Sequence, residues 1–302
     1  MSDSFTLALA TYRALPNLSP DDQLLIEPLR RVGVEPVALS WDADNVDWSG
    51  FDGVVVRSCW DYHHRHAEFL AWMDRVTALG VPMWNPPALV RWNSDKKYLL
   101  DLARRGVATV QTSIIARGES PRLADILGDH EWGRAVIKPS VSASAHETWL
   151  TSMNRAAYHQ SRFEALLERV DVLVQPYVRE VAEQGEWSLV FLGDEFSHSV
   201  LKRPAAGDFR VQTEHGGTSE RCRAPESLVR SAAEVLRRAP TKDGTLYARV
   251  DGYAAPSGDF VLMELELIEP LLYLADDAGA PARLARCIAD RLVSRGTGDM
   301  SR

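Results

Sequence analysis

Cysteine is scarce in this chain: Cys59, Cys222 and Cys287 are the only three among 302 residues, and none stands in a CxxC pair or at metal-finger spacing. An odd, unpaired set speaks against a disulfide framework and a structural zinc site, and a reducing cytoplasm is the expected setting. Cys59 is expected to be a small buried residue, because no paired base is recognisable that would activate it. Basic blocks are missing too, and the net charge is −8. A general nucleic-acid binder needs a positive face against phosphate, so that class is excluded. No apolar run approaches the ~20 residues of a membrane-spanning helix, and residues 1–30 lack a basic segment followed by a long apolar one, so neither membrane insertion nor secretion is expected. The GxxxxGK[ST] phosphate loop is absent, as are internal repeats and low-complexity stretches.

What is present is a globular composition, 45% hydrophobic and 25% charged, in a chain long enough for two or three packed lobes. Residues 1–92 alternate strand-like runs at 6–12, 36–41 and 53–58 with helical patterns at 22–31 and 67–79, the mark of a parallel sheet flanked by helices. A loop rich in Pro and Asn at 81–87 closes this lobe. A second segment, 93–178, opens with a helix over 94–105 that Gly106 ends, and continues with an apolar run at 110–115, a strand at 135–139, a helix at 155–169 and a strand at 172–178. The third, 179–302, carries strands at 187–192, 198–202, 247–252 and 260–267 and helices at 226–238 and 281–295.

The most informative stretch is Arg249-Val250-Asp251 followed by Met263-Glu264-Leu265-Glu266. On a strand Glu264 and Glu266 share a face, while Met263, Leu265 and Leu267 take the other. Carboxylates held that close repel unless a cation sits between them. A turn at 254–259, with Pro256 and Gly258, is expected to fold Asp251 opposite the pair. Three such oxygen donors suit Mg²⁺; the alternative is the exposed polar face of an edge strand.

Two lysines also stand out. Lys138 ends the apolar run Ala135-Val136-Ile137 and precedes a loop of small residues, Ser140 to Ala145, a place where backbone N–H groups and one cation can cradle a polyphosphate. Lys96 is expected to open the helix after Asn93-Ser94-Asp95, where a cation opposes the helix dipole and invites an anionic partner; a merely solvated lysine is the other reading.

Taken in order, the lysine-led helix, the Ile-Lys-Pro strand, Gln175-Pro176-Tyr177-Val178, Gly185-Glu186, Arg-x-Asp and Glu-x-Glu resemble the ATP-grasp superfamily. The arrangement is similar to D-alanine–D-alanine ligase and bacterial glutathione synthetase over roughly residues 93–275. The resemblance implies an α/β ATP-grasp fold, with an N-terminal parallel-sheet lobe (1–92) for substrate and two α+β lobes (93–178 and 179–302) enclosing the nucleotide. It makes Lys96 and Lys138 the phosphate-holding lysines, and Gln175, Pro176, Tyr177 and Val178 the hinge at the adenine edge. Glu186 becomes the ribose acid, Lys202 a further phosphate contact and Arg249 the stabiliser of charge in the reacting species. Asp251, Glu264 and Glu266 would carry two Mg²⁺ ions, with Mn²⁺ as a substitute. Three features depart from the pattern: Glu266 stands where Asn is common, the loop after Lys138 lacks the usual glycines, and Leu267-Ile268-Glu269-Pro270 replaces a Ser-Pro-Gly segment. Arg57-Ser58-x-Trp60, Val90-Arg91-Trp92, Ser197-His198 and Glu269-Pro270 are also similar to the ATP-grasp enzymes that close the cycloserine ring from O-ureido-D-serine.

The expected activity is formation of an acyl phosphate from a small amino-acid-like carboxylate and its capture by a nitrogen nucleophile. Because ligands gather beyond the carboxyl ends of strands in open α/β sheets, Arg57 is expected to hold a substrate carboxylate, and Asp61 with Glu269 its nitrogen; for Asp61, a cap at an ordinary strand–helix junction is the alternative. His63, His64 and His66 resemble a metal cluster, but adjacent residues are expected to diverge and no further ligand has matching spacing. A phosphotransferase on the same cradle, a non-catalytic nucleotide-binding regulator and a homodimer all stay open.

Overall fold

The computed structural model describes residues 4–242 and 244–299. Residues 1–3, 243 and 300–302, which the first and last expected segments include, lie outside the described residues. The first sheet comprises β1 (Phe5–Thr11), β2 (Val34–Ser40), β3 (Gly53–Val56) and β4 (Met83–Trp84), all parallel in the order β2-β1-β3-β4. Its central strands are apolar on both faces because both faces are covered: Leu7 to Ala10 and Val54 to Val56 are all buried. Gly53 is required by a close approach, since a Cβ there would lie 2.6 Å from the Trp84 ring. Cys59 is buried as expected, its thiol against the Thr11 carbonyl oxygen at 3.5 Å.

Three local differences from the expected elements have simple causes. The helix expected at 22–31 is two pieces, Pro20–Gln23 and Ile26–Arg31, because Pro28 lacks an N–H and clashes with a carbonyl one turn back in any continuous helix. The loop at 81–87 holds the short β4 and leads into a helix, Pro87–Asn93, with proline at its favoured first position. The helix expected at 94–105 begins only at Tyr98 and runs to Arg104.

The second sheet is antiparallel, with β5 (Ser113–Ile115), β6 (Arg134–Pro139), β7 (Trp149–Ser152) and β8 (Val172–Pro176) in the order β5-β8-β6-β7. Helix Ala156–Leu167 covers it through Phe163, Leu166 and Leu167. The third sheet holds β9 (Glu186–Leu192), β10 (Glu195–Arg203), β11 (Thr218–Arg221), β12 (Tyr247–Ala254) and β13 (Phe260–Glu266), in the order β11-β10-β9-β12-β13. It too is antiparallel. Helix Glu226–Arg238 lays Leu228, Ala232, Val235 and Leu236 on this sheet, in one core with Leu99 and Leu102. The last helix, Ala280–Asp299, shares a core with β1 through Leu7 and Leu9 and with β9 through Val190 and Leu192. Among the described residues no helix is long and apolar enough to cross a membrane.

Candidate active site

The β12–β13 pair builds the acidic floor. The turn after Ala254 pairs the strands so that Asp251 lies opposite Glu264 and Arg249 opposite Glu266. A register shift follows Asp251, and Gly252 fits there because a Cβ would meet the Val261 carbonyl oxygen at 2.4 Å. Asp251 is held from three sides. It accepts hydrogen bonds from Ser188 Oγ on β9 at 2.7 Å, Lys202 Nζ on β10 at 2.9 Å and Arg249 Nε at 3.0 Å. Burial alone would raise this carboxyl, but Arg249 and Lys202 outweigh it and hold Asp251 well below the usual carboxylate range. Arg249 also pairs with Glu266 and donates to the Leu271 carbonyl at 3.0 Å.

Glu264 and Glu266 keep roughly a quarter of their side-chain surface open, at 29% and 26%. Burial pushes Glu266 up to about 7, with Glu264 and Asp251 adding repulsion against the pull of Arg249. For Glu264 burial is overcome by Lys96 and Lys138, and its carboxyl is lowered. The carboxylates therefore crowd one another, and part of the crowd stays under-compensated by protein cations.

Lys96 does not head a helix. It lies in the turn between Pro87–Asn93 and Tyr98–Arg104, and Asn93 caps nothing: its side chain bridges the Leu265 carbonyl at 2.8 Å and the Leu267 N–H at 2.9 Å. That bridge fastens the turn to β13 and sets Lys96 Nζ 3.2 Å from Glu264 Oε1. The same ammonium donates to Ser142, in the loop after β6. The Lys138 side chain, on β6, makes no hydrogen bond or ion pair among the described residues, and burial lowers its ammonium. Lys202 is paired with both Glu186 and Asp251. Burial would lower Lys202, but the two carboxylates hold it above the ordinary lysine range; Glu186 is nonetheless raised, since its own burial outweighs Lys202.

At the end of β8, Gln175 donates to Thr112 Oγ1 at 2.9 Å, and the Tyr177 N–H donates to the Arg134 carbonyl at 3.0 Å. Gln175, Pro176, Tyr177 and Val178 line one cavity of about 850 Å³ together with Lys96, Lys138, Glu186, Lys202, Arg249, Asp251, Glu264, Glu266 and Glu269. Val136, Val181, Met263 and Leu265 give that cavity an apolar part. Its size is that of a site enclosing a nucleotide-sized ligand. Glu269 sits beside Trp60, whose indole N–H donates to the Glu269 carbonyl oxygen at 3.1 Å, and burial pushes its carboxyl up to about 8 with help from Glu266.

Two expected substrate contacts are corrected. Arg57 is 1% exposed and does not line the cavity: its guanidinium pairs with Asp22 at 2.8 Å, donates to the Pro270 carbonyl at 2.8 Å and lies over the Tyr247 ring. It acts as an internal tie between the first lobe and the segment after β13. Asp61 accepts from Trp41 Nε1 at 2.9 Å, makes no side-chain helix cap and also stays off the cavity wall. The sequence reading missed Asp21, Tyr98, Tyr273 and the 209–214 segment, all on the cavity wall. Asp21 had a faint signal in the Ser19-Pro20 helix start, and Tyr98 lay in the expected lysine-led helix without being given a role; Tyr273 and the 209–214 segment had no signal, because they come from segments without motif or period.

A model of the D-cycloserine synthetase DcsG N-terminal domain matches residues 7–85. The chain is 32% identical over 302 residues to the cycloserine biosynthesis protein DcsG of Streptomyces lavendulae, covering 95% of this chain and 98% of that protein. The chain belongs to the DcsG family of ATP-grasp ligases. The crystal structure of D-cycloserine synthetase DcsG superposes with a TM-score of 0.87 at 31% identity, over 95% of this chain and 99% of the other. A D-alanine–D-alanine ligase from Bacillus anthracis complexed with ATP shares the fold, with a TM-score of 0.70 at 16% identity over 98% and 99% of the two chains. As a member of the DcsG family the chain is an ATP-dependent ligase that forms C–N bonds. In the loop after Lys138, Ser144, Ala145 and Glu147 all adopt left-handed backbone at a structural cost, with φ of 49°, 54° and 49°.

Proposed function

We propose that the enzyme activates a small amino-acid-like carboxylate as an acyl phosphate and passes the acyl group to a nitrogen nucleophile, releasing ADP and phosphate. The observation that carries this reading is the convergence of Asp251, Glu264 and Glu266 with Lys96, Lys138 and Arg249 on one cavity wall. The unpartnered Lys138 ammonium and the apolar part of the cavity fit a nucleotide: Lys96, Lys138 and Lys202 would face its phosphates, Glu186 its ribose, and Gln175 to Val178 its base. The crowded carboxylates fit hard divalent cations, two Mg²⁺ with Mn²⁺ as substitute, held by Asp251, Glu264 and Glu266. When bound, such ions neutralise phosphate charge.

The chain's own residues then do three things. Lys96 and Lys138 hold the terminal phosphoryl group while a substrate carboxylate oxygen attacks its phosphorus and the bond to the ADP oxygen breaks. Arg249, fixed by Asp251, lies where negative charge grows on the acyl carbon's oxygen as nitrogen adds and phosphate leaves. Glu269, beside Trp60, holds the substrate's ammonium or ureido nitrogen. Residues 1–92 serve as the substrate lobe, with 93–178 and 179–302 enclosing the nucleotide, in a cytoplasmic enzyme; a homodimer is compatible with this arrangement.

Similarity to D-cycloserine synthetase DcsG favours the intramolecular version, in which the nitrogen belongs to the activated molecule and a ring closes. An amide or dipeptide is the product if the nitrogen comes from a second molecule. The test is an ADP-release screen against amino acids and their ureido and hydroxamate derivatives, with mass spectrometry of the product. Ligation predicts ADP release that needs both a carboxylate and a nitrogen; a stable phosphorylated product without nitrogen capture would make the enzyme a phosphotransferase.

A further inference from the structure

Three histidines come together outside the carboxylate floor. The segment Tyr62–Arg65 folds as a single 3₁₀ turn, and instead of diverging, the His63 and His64 rings lie with centroids 3.9 Å apart. A third imidazole reaches them from a segment more than eighty residues away. His146, in the loop after β6, lies 5.3 Å from the His63 ring and 4.8 Å from the His64 ring, centroid to centroid. One ring nitrogen from each of the three falls within 4.8 Å of the others. His66, the member of the motif that sequence spacing would have included, turns away to Ser94 Oγ at 2.8 Å.

Both ring nitrogens of His63 are buried yet neither has a hydrogen-bond partner of good geometry, an unusual state for a buried imidazole. His64 and His146 are exposed and free to adjust. Three nitrogens around a tetrahedral ion at ~2.1 Å lie about 3.4 Å apart, a closure that small rotations of two exposed side chains can supply. Nitrogen-only ligation distinguishes the cluster from the oxygen-rich floor: imidazole suits zinc-like ions, whereas Mg²⁺ prefers carboxylate and water. Glu147 lies 3.7 Å from His146 Nε2 and is paired with Arg169.

We propose that His63, His64 and His146 bind one borderline divalent ion of the Zn²⁺ type, with a fourth position left to water, and that this ion clasps the 140–148 loop to the N-terminal lobe. The placement makes the clasp consequential. Val141 and Ala143 already pack on the N-terminal core that includes Cys59 and Tyr62. Ser142, Ala143, Ser144 and Ala145 of the same loop line the main cavity, and Ser142 accepts from Lys96. An ion at the three histidines therefore fixes the loop that borders the phosphate-binding lysines.

The test is Zn²⁺ titration of the tag-free full chain by calorimetry in excess Mg²⁺, which saturates the carboxylate floor. One equivalent should bind, and His64→Ala and His146→Ala should each weaken it at least ~10-fold, since loss of even an outer-shell partner of a metal ligand costs that much. Both substituted residues are exposed, so circular dichroism should show both variants folded. Glu264→Gln should leave Zn²⁺ affinity unchanged, and Zn²⁺ should slow hydrogen exchange over residues 140–148 in the wild type but not in His146→Ala. Zn²⁺ affinity that survives both histidine substitutions, or that falls in Glu264→Gln instead, overturns the proposal, as does a wild-type chain that binds no Zn²⁺ at all. None of these readouts depends on which reaction the cavity catalyses.

Discussion

Lys96 Nζ stands 3.2 Å from Glu264 Oε1, joining the turn after the first lobe to the acidic strand of the third sheet. One ammonium thus borders both the carboxylates and the loop at Ser142, so the phosphate-facing and cation-facing parts of the cavity are built as a unit. Changes to either part should be read in nucleotide turnover before they are read in folding.

Glu264→Gln and Glu266→Gln should each lower ATP turnover by at least ~100-fold, the scale of a lost electrostatic group at a reacting centre. A coupled ADP assay across Mg²⁺ and Mn²⁺ concentrations measures this. Near-normal turnover in both variants would remove the metal assignment.

Lys138 has no hydrogen-bonded or ion-paired protein partner to release, so its loss should be felt chiefly by the nucleotide. Lys138→Ala should weaken ATP binding ~10–100-fold, as expected for a hydrogen bond to a charged group, while the melting temperature changes little. Calorimetry showing wild-type affinity would exclude the phosphate contact.

Arg57 is a structural residue here, and its substitution should act on stability. Arg57→Ala leaves Asp22 as a buried charge without its cation, which costs ~3–5 kcal/mol. Denaturant unfolding should show that loss, and Arg57→Ala with Asp22→Asn together should recover part of it. A folded, equally stable Arg57→Ala enzyme with a raised substrate KM would restore the residue to the substrate pocket.

Glu269 ties stability to pH. Its folded value, about 8, lies above the ordinary 4.5, so the folded state binds the proton more tightly than the unfolded one and stability falls as pH rises between those values. The penalty is absent below about 4.5 and complete above about 8. Glu269→Gln removes it, so the ligand-free variant should melt at least ~2 °C higher than wild type near pH 8.5, with the gap closing toward pH 5. An equal gap at both pH values would show that burial of this carboxyl is not the cause.

The strands that carry chemistry could be read from the sequence because their patterns are local. The Glu264 and Glu266 alternation, the turn at 254–259 and the Ile-Lys-Pro strand each need only a few neighbouring residues, and the structure pairs Asp251 with Glu264 as that pattern implies. Short elements such as β7 and β11 escaped, since four residues carry too little period to separate from loop. Arg57 misled for a different reason: a strand-end arginine looks the same whether it meets a ligand or a buried partner, and Asp22 lies 35 positions away. His146 joined His63 and His64 only through the fold, which no spacing rule could anticipate.

In the proposed reaction a substrate carboxylate attacks ATP before nitrogen attacks the acyl phosphate that results. The measurement that reads it most directly uses the substrate identified by the ADP-release screen, labelled with ¹⁸O in its carboxylate, and mass spectrometry of the released phosphate. An acyl phosphate transfers one labelled oxygen to phosphate in every turnover. Phosphate that emerges unlabelled while the C–N bond forms would contradict the account.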